Sequence, residues 1–199
     1  MTKQNKTFRL TIRAILTAII IIQAMIPFLG FIPLGVISLT IIHITVIVAA
    51  IVLGVGDGMF IGLVWGICTM IRAYVSPSTP IDTLVFTNPL VSVIPRVLVG
   101  LVAGGTFRLL YKKTKKVALS SVFSSILGTL TNTVLVLLMM GLLYTSQVAN
   151  MYQVVPSALA KTLGALVIVN GIPEMVAAAI ITPLIVKALF SATSLQPPK

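Results

Sequence analysis

Apolar stretches long enough to cross a lipid bilayer recur along the chain, and short polar or turn-forming segments separate them. A spanning helix needs about 20 mostly apolar residues. Six stretches meet or approach this length, with approximate bounds 8–26, 38–53, 58–75, 89–111, 117–144 and 159–190. The pattern therefore predicts an all-α fold, a six-helix transmembrane bundle in which residues 1–199 form a single integral membrane domain.

Glycine and proline mark the predicted turns and interruptions. The sequence predicts an outer loop around Pro27, Gly30, Pro33 and Gly35, a tight turn at 54–58, polar loops at 76–87 and 146–157, and a basic loop at 112–116. Pro95 in the fourth stretch, and Gly171 with Pro173 in the sixth, predict interrupted helices. Proline causes such interruptions because it has no backbone N–H to donate.

Composition supports a bilayer location for the whole chain. Hydrophobic residues make up 58% of it and charged residues only 9%, with a mean hydropathy of +1.15. Soluble domains carry roughly 25% charged residues, far more than this chain. Six or seven spanning helices with short loops would account for all 199 residues, so no room remains for a soluble domain. The net charge of +11 could indicate nucleic-acid binding, but the basic residues lie at the ends of the predicted helices. We therefore expect a lipid bilayer, and no nucleic acid, as the partner of these charges.

The distribution of basic residues predicts the orientation, because lysine and arginine favour the cytoplasmic side. Six crossings place one group of basic residues on a single side: Lys3, Lys6, Arg9, Arg13, Arg108, Lys112, Lys113, Lys115, Lys116, Lys187 and Lys199. The opposite loops carry only Asp82, with Arg72 and Lys161 at helix edges. Both termini and the 112–116 loop are therefore predicted to be cytoplasmic.

Arg96 is the strongest candidate for chemistry within the membrane. A charge at a helix centre costs roughly 2.5–3.5 kcal/mol on insertion scales, so such residues are candidates for function. The arginine fork fits a carboxylate, and we predict that Arg96 binds the ligand. Two structural alternatives stay open, an ion pair with Glu174 and snorkelling of the side chain to the outer surface.

Five further polar residues are candidate ligand contacts, and each also has a structural interpretation. Arg72 lies near the outer end of the third helix, and an amide such as Asn132 can instead bridge two helices. His43 can bond a ligand hydroxyl or a loop carbonyl. Asn170 lies four residues before Glu174, so the two share a helix face. The predicted substrate-binding set is Arg96, Asn132, Arg72, His43, Asn170 and Glu174.

Several catalytic and cofactor motifs are absent from the sequence. It contains no Gly-x-x-x-x-Gly-Lys-Ser/Thr loop for nucleotides and no Gly-x-Ser-x-Gly elbow. A single histidine, His43, and a single cysteine, Cys68, do not suffice for the usual metal sites. We therefore expect no enzyme activity, no cofactor and no metal.

Small residues recur at helical spacing on two predicted helices. Gly54, Gly58, Gly62 and Gly66 form a stripe along the third helix, and Ala14 with Ala18 forms a shorter one on the first. Such stripes let helices approach closely. Packing within the chain is the favoured use of the glycine stripe.

Three stretches carry a resemblance that covers nearly the whole chain. They are Arg13-Ala14 with Ala18, Pro33-Leu34-Gly35 through His43 to the glycine stripe, and the run from Thr87-Asn88-Pro89 to Pro95-Arg96, continuing to Gly100 and Gly104. With these residues the chain resembles the substrate-binding S components of energy-coupling-factor (ECF) vitamin transporters. The last stretch, with Arg72-Ala73-Tyr74 and Asp82, looks most like the pantothenate-specific branch.

The resemblance implies a mechanism and a set of partners. S components bind a vitamin from outside and associate with a transmembrane T component and two cytoplasmic ATPases, whose ATP use turns the S component in the membrane. The family meets the T component through an alanine-rich face of the first helix, which Ala14 and Ala18 match. The implied location is a bacterial plasma membrane.

The polar residues bear on the substrate separately from the resemblance. Pantothenate is a small anion with hydroxyls and one amide, which suits an arginine and central asparagines. The alternatives within the family are a pyridoxine- or hydroxymethylpyrimidine-like precursor and riboflavin. Outside it, the alternatives are a stand-alone membrane carrier and an intramembrane enzyme.

Overall fold

The computed structural model describes residues 6–34, 37–193 and 195–197, and this part of the chain is mainly helical. Its α-helices are α1 (Lys6–Met25), α2 (Pro27–Gly30), α3 (Ile42–Val52), α4 (Val55–Val75), α5 (Pro89–Ser92), α6 (Ile94–Thr114), α7 (Val117–Leu143), α8 (Thr145–Met151), α9 (Leu159–Leu166) and α10 (Ile172–Ala192). Two π-helical turns, Asp82–Phe86 and Val167–Gly171, and a 3₁₀ turn at Pro156–Ala158 connect them. Strands β1 (Phe31–Leu34) and β2 (Ile37–Thr40) pair antiparallel, with Phe31 opposite Thr40.

Five helical segments of the described residues are long and apolar enough to cross a membrane: Thr7–Met25, Val55–Val75, Pro89–Thr114, Val117–Leu143 and Pro156–Ala192. These correspond to the first, third, fourth, fifth and sixth predicted helices. A sixth spanning helix is not confirmed, because α3 has only 11 residues. At 1.5 Å per residue it measures about 16 Å, roughly half the thickness of a hydrocarbon core.

The predicted start of the second helix, at about residue 38, was wrong, because α3 begins at Ile42. The first residues of the predicted helix form β2 instead, and the sequence Ile-Ser-Leu-Thr of this strand alternates apolar and polar side chains with the period of a strand. The all-α expectation therefore holds except for this hairpin. The predicted outer loop contains regular structure, namely α2 and β1. Gly35, like Lys3 and Lys199, lies outside the described residues.

Two predicted loops are shorter than expected. The tight turn at 54–58 reduces to Gly54, whose φ of +106° favours glycine, and α4 begins at Val55. The 146–157 loop contains α8. Both predicted interruptions are confirmed: α5 ends at Ser92 before α6 begins at Ile94, and a π-helical turn ends at Gly171.

Helix α3 forms the centre of the bundle. Ten of its 11 residues are buried, and α1, α4, α6, α7 and α10 all contact it. A helix that is apolar all round is expected in such a position. The other long helices expose leucine, isoleucine and valine on their outer faces, for example Leu138 on α7 and Ile180 on α10. The surface is thus suited to lipid.

Helices α4 and α6 meet backbone to backbone along the predicted glycine stripe. A Cβ atom on Gly62 would lie 2.2 Å from the Arg96 carbonyl oxygen, and one on Gly66 would lie 2.7 Å from that of Ser92. From the α6 side, a Cβ on Gly100 would lie 2.3 Å from the backbone of Gly58. The stripe therefore packs within the chain, as predicted, and fixes α6 relative to α4.

This contact generates a testable difference between two glycines. Gly62→Ala forces α4 and α6 apart, because the added methyl group meets a rigid backbone oxygen. Overpacking of this kind costs about 1–3 kcal/mol, and we expect that loss in the free energy of unfolding. SDS-induced unfolding in mixed micelles measures it. Gly105→Ala is the matched control on α6, since its added carbon has no neighbour within 4 Å. Equal stability of the two variants would contradict the close contact.

Candidate ligand-binding site

A cavity of about 280 Å³ lies where several elements are interrupted. Its wall includes the end of β2, the start of α3, the α6 side of the break at Val93 and the π-helical turn before α10. Helices α4 and α7 supply further sides, and the 76–87 segment contributes Ile81, Asp82 and Phe86. Ala24 of α1 and Leu166 of α9 also line the cavity. Its volume is near the lower end of small-molecule pockets, roughly 300–1,000 Å³.

The structure brings five of the six predicted site residues to this cavity. Its lining includes Arg72, Arg96, Asn132, Asn170 and Glu174. These come from four separate stretches of the chain, so the fold assembles them. His43 does not line the cavity: it is 1% exposed inside α3, with its ring near the Thr40 backbone. The structure therefore does not join His43 to the other five.

The Arg96 side chain is oriented by the proline that precedes it. Pro95 has no N–H for the carbonyl four residues earlier, that of Val91. The Arg96 Nη1 donates to this carbonyl oxygen at 2.7 Å. The guanidinium carbon also lies 5.0 Å from the centroid of the Trp65 ring and 5.2 Å from that of Phe86. A helix break thus supplies the acceptor that holds the guanidinium at the cavity wall.

Arg96 retains unused donors. It is 5% exposed, and neither Nε nor Nη2 donates a hydrogen bond to a described residue. The ion pairs among the described residues are Arg9–Asp57, Arg13–Asp57 and Arg72–Asp82, so the alternative of an Arg96–Glu174 pair is wrong. The Glu174 Oε1 instead accepts the Thr40 N–H at 2.8 Å, which connects α10 to the end of β2.

Arg72 is occupied by the loop that follows α4. Its Nη1 lies 3.3 Å from Asp82 Oδ2 and 2.9 Å from Ser78 Oγ. The same Asp82 oxygen accepts the N–H groups of Ser78, at 2.8 Å, and Thr79, at 3.2 Å. Arg72 therefore fastens the 76–87 segment beside the cavity. This pairing leaves Arg96 as the cavity guanidinium without a carboxylate within 4.0 Å among the described residues.

The asparagines belong to the part of the cavity lining that α7 and the π-helical turn before α10 contribute. Asn132 is 9% exposed, and its Oδ1 has no hydrogen-bond partner among the described residues. An unsatisfied buried acceptor costs about 1–3 kcal/mol, which a ligand donor would offset. Asn170 is half-buried in the π-helical turn, and Glu174 follows on α10. This side of the cavity therefore suits hydroxyl or amide groups.

Sequence reasoning missed several lining residues. Trp65 supplies an aromatic face to Arg96, and Thr40 and Thr69 add polar atoms. Trp65 lies between Gly62 and Gly66 of the glycine stripe, and this position was a signal that could have identified it. Tyr152 comes from the turn after α8, which no pattern placed near the membrane core. Burial raises the pKa of the Tyr152 hydroxyl.

A second groove, of about 410 Å³, lies between α7 and α9. Leucine, valine, glycine and alanine predominate in its lining, which includes no charged side chain. It therefore lacks the groups that would recognise a small polar ligand, and the first cavity remains the candidate site.

Comparison with known proteins agrees with this geometry. The family described as ECF transporter, substrate-specific component, matches residues 8–186. The chain is 30% identical over 203 aligned positions to the pantothenic acid transporter PanT of Lactococcus lactis subsp. cremoris, covering 96% of this chain and 97% of that one. It is 45% identical over 107 positions to the pantothenate transporter PanT of Leuconostoc mesenteroides subsp. mesenteroides, where the match spans about half of each protein, 52%. The chain therefore belongs to the substrate-specific components, or S components, of the ECF transporters.

Proposed function

We propose that this S component binds pantothenate for ATP-driven import across a bacterial plasma membrane. The observation that carries the proposal is the buried guanidinium of Arg96, which faces the cavity without a carboxylate partner among the described residues. The names of the two relatives support the same substrate. A carboxylate ligand would supply the missing charge and accept hydrogen bonds from the guanidinium.

The two sides of the cavity match the two ends of pantothenate. The carboxylate end pairs with Nε or Nη2 of Arg96, which Trp65 and Phe86 flank on their ring faces. The amide and hydroxyl end reaches Asn132, Asn170 and Glu174, where acceptor oxygens meet its donors. Arg72, already paired with Asp82, acts by holding the loop over the ligand.

Six crossings remain our proposal for the topology. Helix α3 of about 16 Å and strand β2 of about 13 Å together reach about 30 Å, the thickness of the hydrocarbon core. Strand β2 pairs with β1 and contacts α10 and the π-helical turn before it, which supports its placement at that depth. An even number of crossings places both termini and the 112–116 loop in the cytoplasm.

The partners proposed for the chain are a T component and two cytoplasmic ATPases. Support comes from α1, where Ala14 and Ala18 are exposed on the surface of the described structure. Small side chains allow a partner helix to approach closely in the membrane. Energy for import then comes from the ATPases.

Arg96→Ala tests the substrate site. The loss of a charge-assisted hydrogen bond of about 1.5–3 kcal/mol predicts 10- to 100-fold weaker pantothenate binding by calorimetry. Arg96→Lys should recover only part of the affinity, because an ammonium group lacks the planar fork. Arg108→Ala is the matched control, an exposed arginine on the same helix.

The uncharged alcohol analogue, pantothenol, isolates the carboxylate. The wild-type protein should bind it 10- to 100-fold more weakly than pantothenate, and Arg96→Ala should abolish that preference. Equal wild-type affinity for the two compounds would refute the carboxylate role and favour a neutral vitamin precursor.

Cysteine labelling tests the topology. In a Cys68→Ala background, Thr114→Cys should react with a membrane-impermeant maleimide only after the cells are permeabilised. The reason is that the lysines around it favour the cytoplasmic side. Labelling of this position in intact cells would exclude the six-crossing topology.

A double replacement tests the partner surface. Ala14→Trp with Ala18→Trp adds bulk where close approach is proposed, so pantothenate uptake by the complete transporter should fall at least tenfold. Pantothenate affinity of the isolated chain should stay within twofold, because neither alanine lines the cavity. Normal uptake by this variant would remove both alanines from the interface.

A further inference from the structure

Helix α1 is attached to the bundle differently along its two halves. Leu16, Ile20 and Ala24 are buried and lie four residues apart, so they form one narrow seam on its second half. Among the described side chains of its first half, residues 7–15, none is buried. Phe8 and Ile12 of this half are only partly buried against the core, so its apolar packing is looser than that of the second half.

A single carboxylate, that of Asp57 in the first turn of α4, receives both arginines of this first half. The Asp57 Oδ2 accepts from Arg9 Nε at 2.9 Å and from Arg9 Nη2 at 2.5 Å, and Asp57 Oδ1 lies 3.4 Å from Arg13 Nη1. The Arg13 guanidinium also stacks 3.8 Å from the centroid of the Phe60 ring. Asp57 is 7% exposed, so this cluster is shielded from solvent on the Asp57 side.

The same cluster bridges the turn between α3 and α4. Arg9 Nη2 donates to the Leu53 carbonyl oxygen at 2.7 Å, at the end of α3. A cation at a helix C-terminus and an anion at a helix N-terminus are each favoured by the helix dipoles. Arg9 and Asp57 satisfy both conditions on either side of Gly54. The first half of α1 is thus tied to the packed α3–α4 pair.

We propose that Asp57 is a positioning residue for the partner surface of α1. It holds the helix so that Ala14 and Ala18 present one fixed face to the T component. This inference rests on the proposed function, since it takes α1 as the partner-facing helix. Ala14 follows Arg13 directly, so the angle of Arg13 on Asp57 sets the direction of the alanine face.

Charge removal at Asp57 has a specific consequence. Without the carboxylate, two neighbouring guanidinium groups repel each other and the first half of α1 loses this charged contact, whereas the Leu16 seam and the packing of Phe8 and Ile12 remain. The ligand cavity does not include Arg9, Arg13 or Asp57 in its lining. Along α4, Asp57 lies about 22 Å from Arg72, at 1.5 Å per residue. Partner coupling should therefore fail while ligand binding persists.

Two readouts of the Asp57→Asn variant test the proposal. Spin labels at Leu10→Cys and Leu109→Cys, both exposed positions, report the distance between α1 and α6 in a Cys68→Ala background. The distance distribution should broaden in Asp57→Asn. Pantothenate uptake by the complete transporter in proteoliposomes should fall at least tenfold, with calorimetric affinity of the isolated chain within twofold of wild type. Asp57→Glu keeps the charge and should restore uptake to within about threefold.

Lys113→Gln is the matched control, because it removes one charge at the 112–116 loop and should change none of these quantities. Unchanged distances or unchanged uptake in Asp57→Asn would overturn the proposal. A parallel loss of ligand affinity and thermal stability would also overturn it, since that result describes a residue needed only for folding. Failure of the wild-type chain to bind pantothenate would contradict the proposed substrate instead, and the distance measurement still decides the role of Asp57.

Discussion

The contact between the backbones of α4 and α6 is the constraint on which the site depends. Glycines at 62 and 66 on α4, and at 100 on α6, allow the two helices to approach until backbone atoms touch. Trp65 then lies beside Arg96 across the contact, with the guanidinium carbon 5.0 Å from the ring centroid. Larger side chains at these glycines would separate Trp65 from Arg96, the two residues that together form what we call the cationic wall of the cavity.

The cationic wall also needs a broken helix. An arginine in an apolar bundle is stable only if its donors find acceptors, because unsatisfied groups are costly in lipid. Pro95 frees the Val91 carbonyl, and Arg96 donates to it one turn away. The Nε and Nη2 donors have no acceptor among the described residues. Proline and arginine are thus adjacent for one physical reason, since the first creates the acceptor that holds the second.

Sequence reasoning predicted a substantial part of this arrangement. Charged residues are rare within the apolar stretches, which made Arg96 a candidate. Five of the six proposed ligand contacts line one cavity. It could not predict that Glu174 would accept the Thr40 N–H instead of pairing with Arg96, because that choice depends on a β hairpin 134 positions away in sequence. His43 is buried inside α3 and does not line the cavity, and the apolar residues around it in the sequence did not indicate which way its side chain would face.

The ligand cavity and the attachment of α1 depend on different groups of residues. One end of the fold assembles polar groups around a cavity, while the Arg9–Asp57–Arg13 cluster fastens α1 outside the cavity lining. We therefore expect that recognition and partner coupling can be altered separately. A ligand-bound structure tests the central claim most directly. We expect the pantothenate carboxylate within about 3.2 Å of Arg96 Nε or Nη2, the range of a hydrogen bond. A carboxylate lying at the asparagine side, with no contact to Arg96, would contradict the account.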